Sequence, residues 1–102
     1  MSTTPLDLEA MHQAIRASRE AMQAGNMPFG AALVKDGKVL AVAANNQVSA
    51  ASCLGHAETA LVQQLEANGR HQDLRQATVY ASGEPCPMCA GAMFWAGISK
   101  VV

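Results

Sequence analysis

The chain has 102 residues, half of them hydrophobic and 4% aromatic, with a formal net charge of −1. That length supports at most one small domain, burying about 60–70% of its unfolded surface, and residues 1–102 read as that one domain. Seven basic and eight acidic residues with no basic run weigh against a long nucleic-acid partner, because phosphate binding needs clustered Lys and Arg.

Met1-Ser2-Thr3-Thr4-Pro5 has neither the basic nor the apolar segment of a secretory signal. The longest apolar run, Val39 to Ala44, is far too short to span a bilayer, so no membrane association is expected. Thr4-Pro5 reads as an N-cap followed by proline at the first helical position, with Asp7 in the first turn. Met11, Ala14, Ile15, Ser18 and Met22 recur at helical spacing. They predict an amphipathic helix over 5–24, closed by Gly25. Residues 30–35 and 38–44 read as strands joined by the two-residue turn Asp36-Gly37.

A polar loop over 45–55 precedes a second helix over 56–68, with Ala57, Ala60, Leu61 and Leu65 on one face and Gly69 as its stop. A short buried strand is expected over 77–81, a breaker-rich loop over 82–87 and a third helix over 86–96, closed by Gly97. Residues 98–102 start another strand. The chain stops inside it, so a C-terminal part is expected to be missing. The order α-β-β-α-β-α-β predicts an α/β fold, a three-layer α/β/α sandwich around a mixed sheet.

The chemistry concentrates in His56-Ala57-Glu58 and Pro85-Cys86-Pro87-Met88-Cys89. One imidazole and two thiols suit a zinc ion and leave a fourth position open for water. Cys86 and Cys89 fall at a predicted helix N-terminus, where free N–H groups and the helix dipole favour thiolates. Cysteines paired two residues apart suit an intracellular metal site better than a disulfide, and the cytoplasm is the expected compartment. Glu58, beside a ligand without needing to be one, is placed to shuttle protons as the catalytic base and acid. A closed four-ligand zinc, Cys53 and His56 with Cys86 and Cys89, is the competing reading; it would be structural and leave no room for water. His12 and His71 are read as surface or packing residues.

The order H-x-E then P-C-x-x-C is the signature of zinc-dependent base deaminases. With Pro28-Phe29-Gly30, Asn45-Asn46 and Gly91-Ala92-Met93-Phe94-Trp95-Ala96, it makes nearly the whole chain resemble the cytidine deaminase-like superfamily, in its guanine and nucleoside deaminase branch. The resemblance implies that Asn45 hydrogen-bonds the base, that the N–H of Ala57 helps hold substrate, and that Phe29 and Trp95 wall the pocket. Bulk at Trp95 is similar to guanine deaminases, which implies conversion of guanine to xanthine and ammonia. Adenosine in tRNA, or cytosine or cytidine, is the alternative substrate. A zinc-stabilised structural fragment without turnover is the alternative of another class. The resemblance also implies a homodimer.

Overall fold

The computed structural model describes residues 4–102. Helix α1 spans Pro5–Gln23. Thr4 caps it: its hydroxyl accepts the Asp7 N–H at 3.1 Å, and the Asp7 carboxylate accepts the Thr4 N–H at 2.9 Å. The Tyr80 hydroxyl also donates to Asp7. This hydrogen bond holds the Asp7 carboxyl down at about 2 and pushes the Tyr80 phenol up to about 12.

The buried face of α1 differs from the expected one. Ala10, Ala14, Ala17 and Ala21 are buried, whereas Ile15 and Met22 are exposed. The cause is the neighbouring strand. A Cβ added at Gly30 would stand 2.1 Å from the Ala14 carbonyl oxygen and 2.8 Å from the Ala17 Cβ. Helix and strand meet backbone to backbone, and only alanine fits between them.

Strands β1 (Gly30–Lys35), β2 (Lys38–Ala44), β3 (Thr78–Ala81) and β4 (Lys100–Val101) form one sheet in the order β2-β1-β3-β4. β1 runs antiparallel to both neighbours, and β3 and β4 are parallel, so the sheet is mixed. Asp36 and Gly37 take φ of 52° and 76°, as a hairpin turn with two left-handed residues requires.

Alternation along β1 divides the core. Ala31 and Leu33 pack with Leu61, Leu65 and Val79; Ala32 and Val34 pack with Ala10, Ala14 and Tyr80. Helix α1 therefore covers one face. Helices α2 (Ala57–Ala67) and α3 (Pro87–Ala96) lie on the other, which is the expected three-layer arrangement. Among the described residues no helix is long and apolar enough to cross a membrane.

Two departures concern the second half. A 3₁₀ turn at His71–Leu74 carries Leu74, 1% exposed, into the core. A single apolar residue in a polar run has no period to reveal it. The last strand is shorter than the expected 98–102. Ile98 leaves the ladder to pack on the core. The pairing is extended by the Ser99 and Val102 N–H groups, which donate to the Ala77 and Val79 carbonyls, and by the Ala81 N–H, which donates to the Val102 carbonyl.

Candidate metal centre and active site

The N-termini of α2 and α3 meet at one end of the molecule. His56 is the cap residue of α2 and Cys86 that of α3, and neither spends its side chain on capping its own helix. Cys89 lies in the first turn of α3. Pro87 opens that helix, at a position where the missing N–H costs nothing. The Thr59 hydroxyl donates to the Leu54 carbonyl and, at 3.1 Å, to the His56 carbonyl, which steadies the backbone carrying the imidazole.

The three donor atoms form a triangle. His56 Nδ1 lies 3.5 Å from the Sγ of Cys86 and 3.5 Å from that of Cys89, and the two sulfurs are 3.5 Å apart. Bond lengths of about 2.3 Å for Zn–S and 2.0 Å for Zn–N at tetrahedral angles set such donors about 3.5–3.8 Å apart. The set therefore fits zinc with one position open. Cys89 is fully buried, and burial pushes its thiol up; the Cys89 N–H at the helix start holds the Cys86 thiol down. A dication that binds the sulfur stabilises the thiolate and displaces the proton to solvent, which burial alone opposes, so this donor set suits a metal better than free thiols.

Cys53 is exposed and stands outside the triangle, so the four-ligand closed site does not form. It lies before α2, where no helical turn directs it toward His56. His12 and His71 are exposed, as expected.

Beside the triangle opens a cleft of about 200 Å³, lined among others by Phe29, Asn45, His56, Ala57, Glu58 and Cys86. Backbone bonds at the ends of three strands build it. Asn45 N–H donates to the Phe29 carbonyl at 2.9 Å. Gly30 N–H donates to the Ser82 hydroxyl at 2.9 Å, and Ser82 N–H to the Gly30 carbonyl at 2.9 Å. Gly83 then lies close against the Phe29 ring, where an added Cβ would come within 2.7 Å of it. Glu58 is 6% exposed and forms no ion pair among the described residues. Its charge adds to the upward push of burial on the Cys89 thiol and opposes in small part the lowering at Cys86. A buried carboxylate without a cation is costly and rarely kept for packing.

Residues 5–102 match the cytidine and deoxycytidylate deaminase zinc-binding region. The chain belongs to that deaminase family. Its cofactor is zinc, and His56, Cys86 and Cys89 are the residues that could hold it. Among the family's members, the probable cytosine deaminase of Schizosaccharomyces pombe is 38% identical over 105 residues, covering 100% of this chain and 64% of that protein. The tRNA-specific adenosine deaminase of Bacillus subtilis is 38% identical over 93 residues, covering 90% of this chain and 57% of that protein. The crystal structure of the Bacillus subtilis guanine deaminase superposes with a TM-score of 0.82 at 35% identity, covering 92% of this chain and 60% of that one. The chain thus spans about 57–64% of the length of these curated relatives.

Of the residues expected at the site, the structure brings His56, Ala57, Glu58, Cys86, Phe29 and Asn45 to one cleft, with Cys89 behind them. Trp95 is the exception. It is 85% exposed and faces a different groove, beside His71 and Arg75. One α-helical residue turns about 100°, and Cys89 and Met93 already fix the inward face of α3, so Trp95 is carried outward. Met27, Gln47, Gly83 and Glu84 also line the cleft. Gln47 and Met27 lie in loops without period, where no pattern singles them out.

Proposed function

We propose that this chain forms a zinc-dependent hydrolytic deaminase site for a nucleobase or nucleoside, with guanine, giving xanthine and ammonia, as the first substrate. The observation that carries the proposal is the buried Glu58 carboxylate in one cleft with His56, Cys86 and Asn45, with Cys89 behind them. Zinc, when bound there, supplies a Lewis acid that acidifies water at its open position.

The chain's own residues supply the rest. Glu58 would take a proton from the attacking water and deliver it to a ring nitrogen, then take the proton of the hydroxyl formed on the ring carbon and pass it to the departing amine. Water's oxygen ends on the ring carbon and ammonia leaves. The Asn45 amide bonds the base edge. The Ala57 N–H, left without a helical partner in the first turn of α2, donates to the substrate. Phe29 covers one side of the ring and excludes water.

Guanine ranks first as a free base that needs no basic surface. Structural likeness does not separate the readings, since a tRNA:A34 deaminase superposes with a TM-score of 0.84 and the Bacillus guanine deaminase with 0.82, both at 35% identity. Cytosine or cytidine, and adenosine in tRNA, form the second reading, supported by sequence likeness of the same size. The net charge of −1 counts against a large RNA partner. The test is ammonia release by the zinc-loaded protein from guanine, guanosine, cytosine, cytidine, adenine and tRNA. Release from guanine alone is expected. Release from another member of the panel transfers the assignment to that substrate, and none from a folded, zinc-bound chain leaves the structural-fragment reading. Thiols that must stay reduced to bind metal fit the cytoplasm, which is the proposed compartment.

We also propose a homodimer through the outer face of α3. Helix α3 carries no charge, and its outward Phe94 and Trp95 are 72% and 85% exposed. The two rings stack edge to face at 5.4 Å. A helix that is apolar all round belongs in an interior, and a charge-free face can meet its own copy without repulsion. Trp95 is the only tryptophan. Its emission should move to the red on dilution, as the covered ring returns to water. Emission that stays red at every concentration removes the dimer.

A further inference from the structure

We propose that Gln47 is a positioning residue that decides which way the Asn45 amide faces, and thereby which base edge the cleft accepts. The inference rests on the reading of the cleft as a base site. Asn45 is 2% exposed, and a buried amide can take two orientations with oxygen and nitrogen exchanged. Gln47 removes the choice. Its main-chain N–H, which can only donate, lies 3.0 Å from Asn45 Oδ1. Its side-chain Oε1 accepts from Asn45 Nδ2 at 2.8 Å. In the exchanged orientation the Asn45 NH₂ would face the Gln47 main-chain N–H, and no rotation of the Gln47 side chain relieves that clash. The side-chain bond then adds a second grip on the orientation so fixed.

With both Gln47 bonds made, the amide has one further N–H and one further lone pair. Asn45 and Gln47 both line the cleft beside His56 and Glu58. An adjacent donor and acceptor in one plane matches a heterocycle edge that carries an acceptor next to a donor.

The main chain of Gln47 is held independently of its side chain. The Ser52 N–H donates to the Gln47 carbonyl at 3.0 Å, and the Asn46 N–H to the Gly55 carbonyl at 2.8 Å. Asn26 Oδ1 accepts the Val48 and Ser49 N–H groups, each at 2.9 Å. A Cβ on Gly55 would come within 2.9 Å of the Gln47 nitrogen, so the loop closes tightly there. Replacing the side chain therefore removes one grip on Asn45 and leaves the loop in place.

The experiment compares Gln47→Leu and Gln47→Glu with the parent chain, all zinc-loaded. Gln47→Leu loses the acceptor, and Gln47→Glu keeps it. The expected result is a rise in KM of about five- to tenfold in Gln47→Leu, the effect of one hydrogen bond. It should exceed any fall in kcat, leave the thermal midpoint unchanged, and be recovered in Gln47→Glu. An unchanged KM in Gln47→Leu, or no recovery in Gln47→Glu, overturns the proposal. The side-chain NH₂ signals of Asn45 in a ¹⁵N spectrum provide a readout without turnover. They should shift and exchange faster with solvent in Gln47→Leu, and unmoved signals count against the role of Gln47. If the parent chain turns over no base, the deaminase reading fails while these signals still judge the grip on Asn45.

Discussion

Glu58→Gln should retain one zinc per chain while kcat falls about 10²- to 10⁴-fold, the range that a positioned proton carrier contributes. Gln has nearly the same shape and still accepts a hydrogen bond, but it cannot carry a proton. Glu58 stands in the first turn of α2, 6% exposed, next to the donor triangle without belonging to it. Substitution should therefore spare the metal. It should also spare the fold, because a neutral amide is cheaper to bury than a carboxylate. Metal content, thermal midpoint and ammonia release, taken on the same sample, separate these effects. Full turnover in Glu58→Gln would take the proton-carrying role from this residue. Lost zinc would make it a ligand instead.

Cys89→Ser should cost zinc affinity more than the 10- to 100-fold that removal of an outer-shell partner costs. Cys53→Ser should cost nothing. Cys89 is fully buried between the metal donors and the core cluster of Leu61, Val62 and Met93, whereas Cys53 is exposed. The metal also bears on stability. It ties the start of α2 to the start of α3, two helices that are joined to the rest of the chain only through separate strands and loops. At free zinc about 1,000-fold above the dissociation constant, binding adds about 4 kcal/mol, so chelation should lower the thermal midpoint by roughly 15 °C or more. Competition with a chelating dye gives the affinities, and melting with and without chelator gives the second number. Equal zinc affinity in Cys89→Ser and the parent chain would refute the triangle. Zinc lost in Cys53→Ser would restore the closed four-ligand site.

Much of this was legible in the residues themselves, because the determinants are local. Thr4 and Pro5 start α1, Asp36-Gly37 makes the hairpin, and Gly97 ends α3 in a left-handed conformation. Each acts through the backbone angles of its own neighbours. The metal donors were legible for a related reason: His56 and Cys86 stand at the N-cap positions of their helices, Cys89 follows within one turn, and short-range spacing places them at helix starts. The tertiary structure decided what depends on distant chain segments. Which stripe of α1 is buried follows from how closely Gly30 approaches Ala14, and neither residue announces the other. Trp95 turns away from the cleft because Cys89 and Met93 claim the inner face of α3. Leu74 enters the core through a 3₁₀ turn, and Gln47 grips Asn45 inside a loop. Periodicity and capping report where a helix or turn begins, since they act over three or four residues. Side-chain direction and cleft lining depend on packing between elements tens of residues apart, and that is settled only when the sheet and helices close on one another.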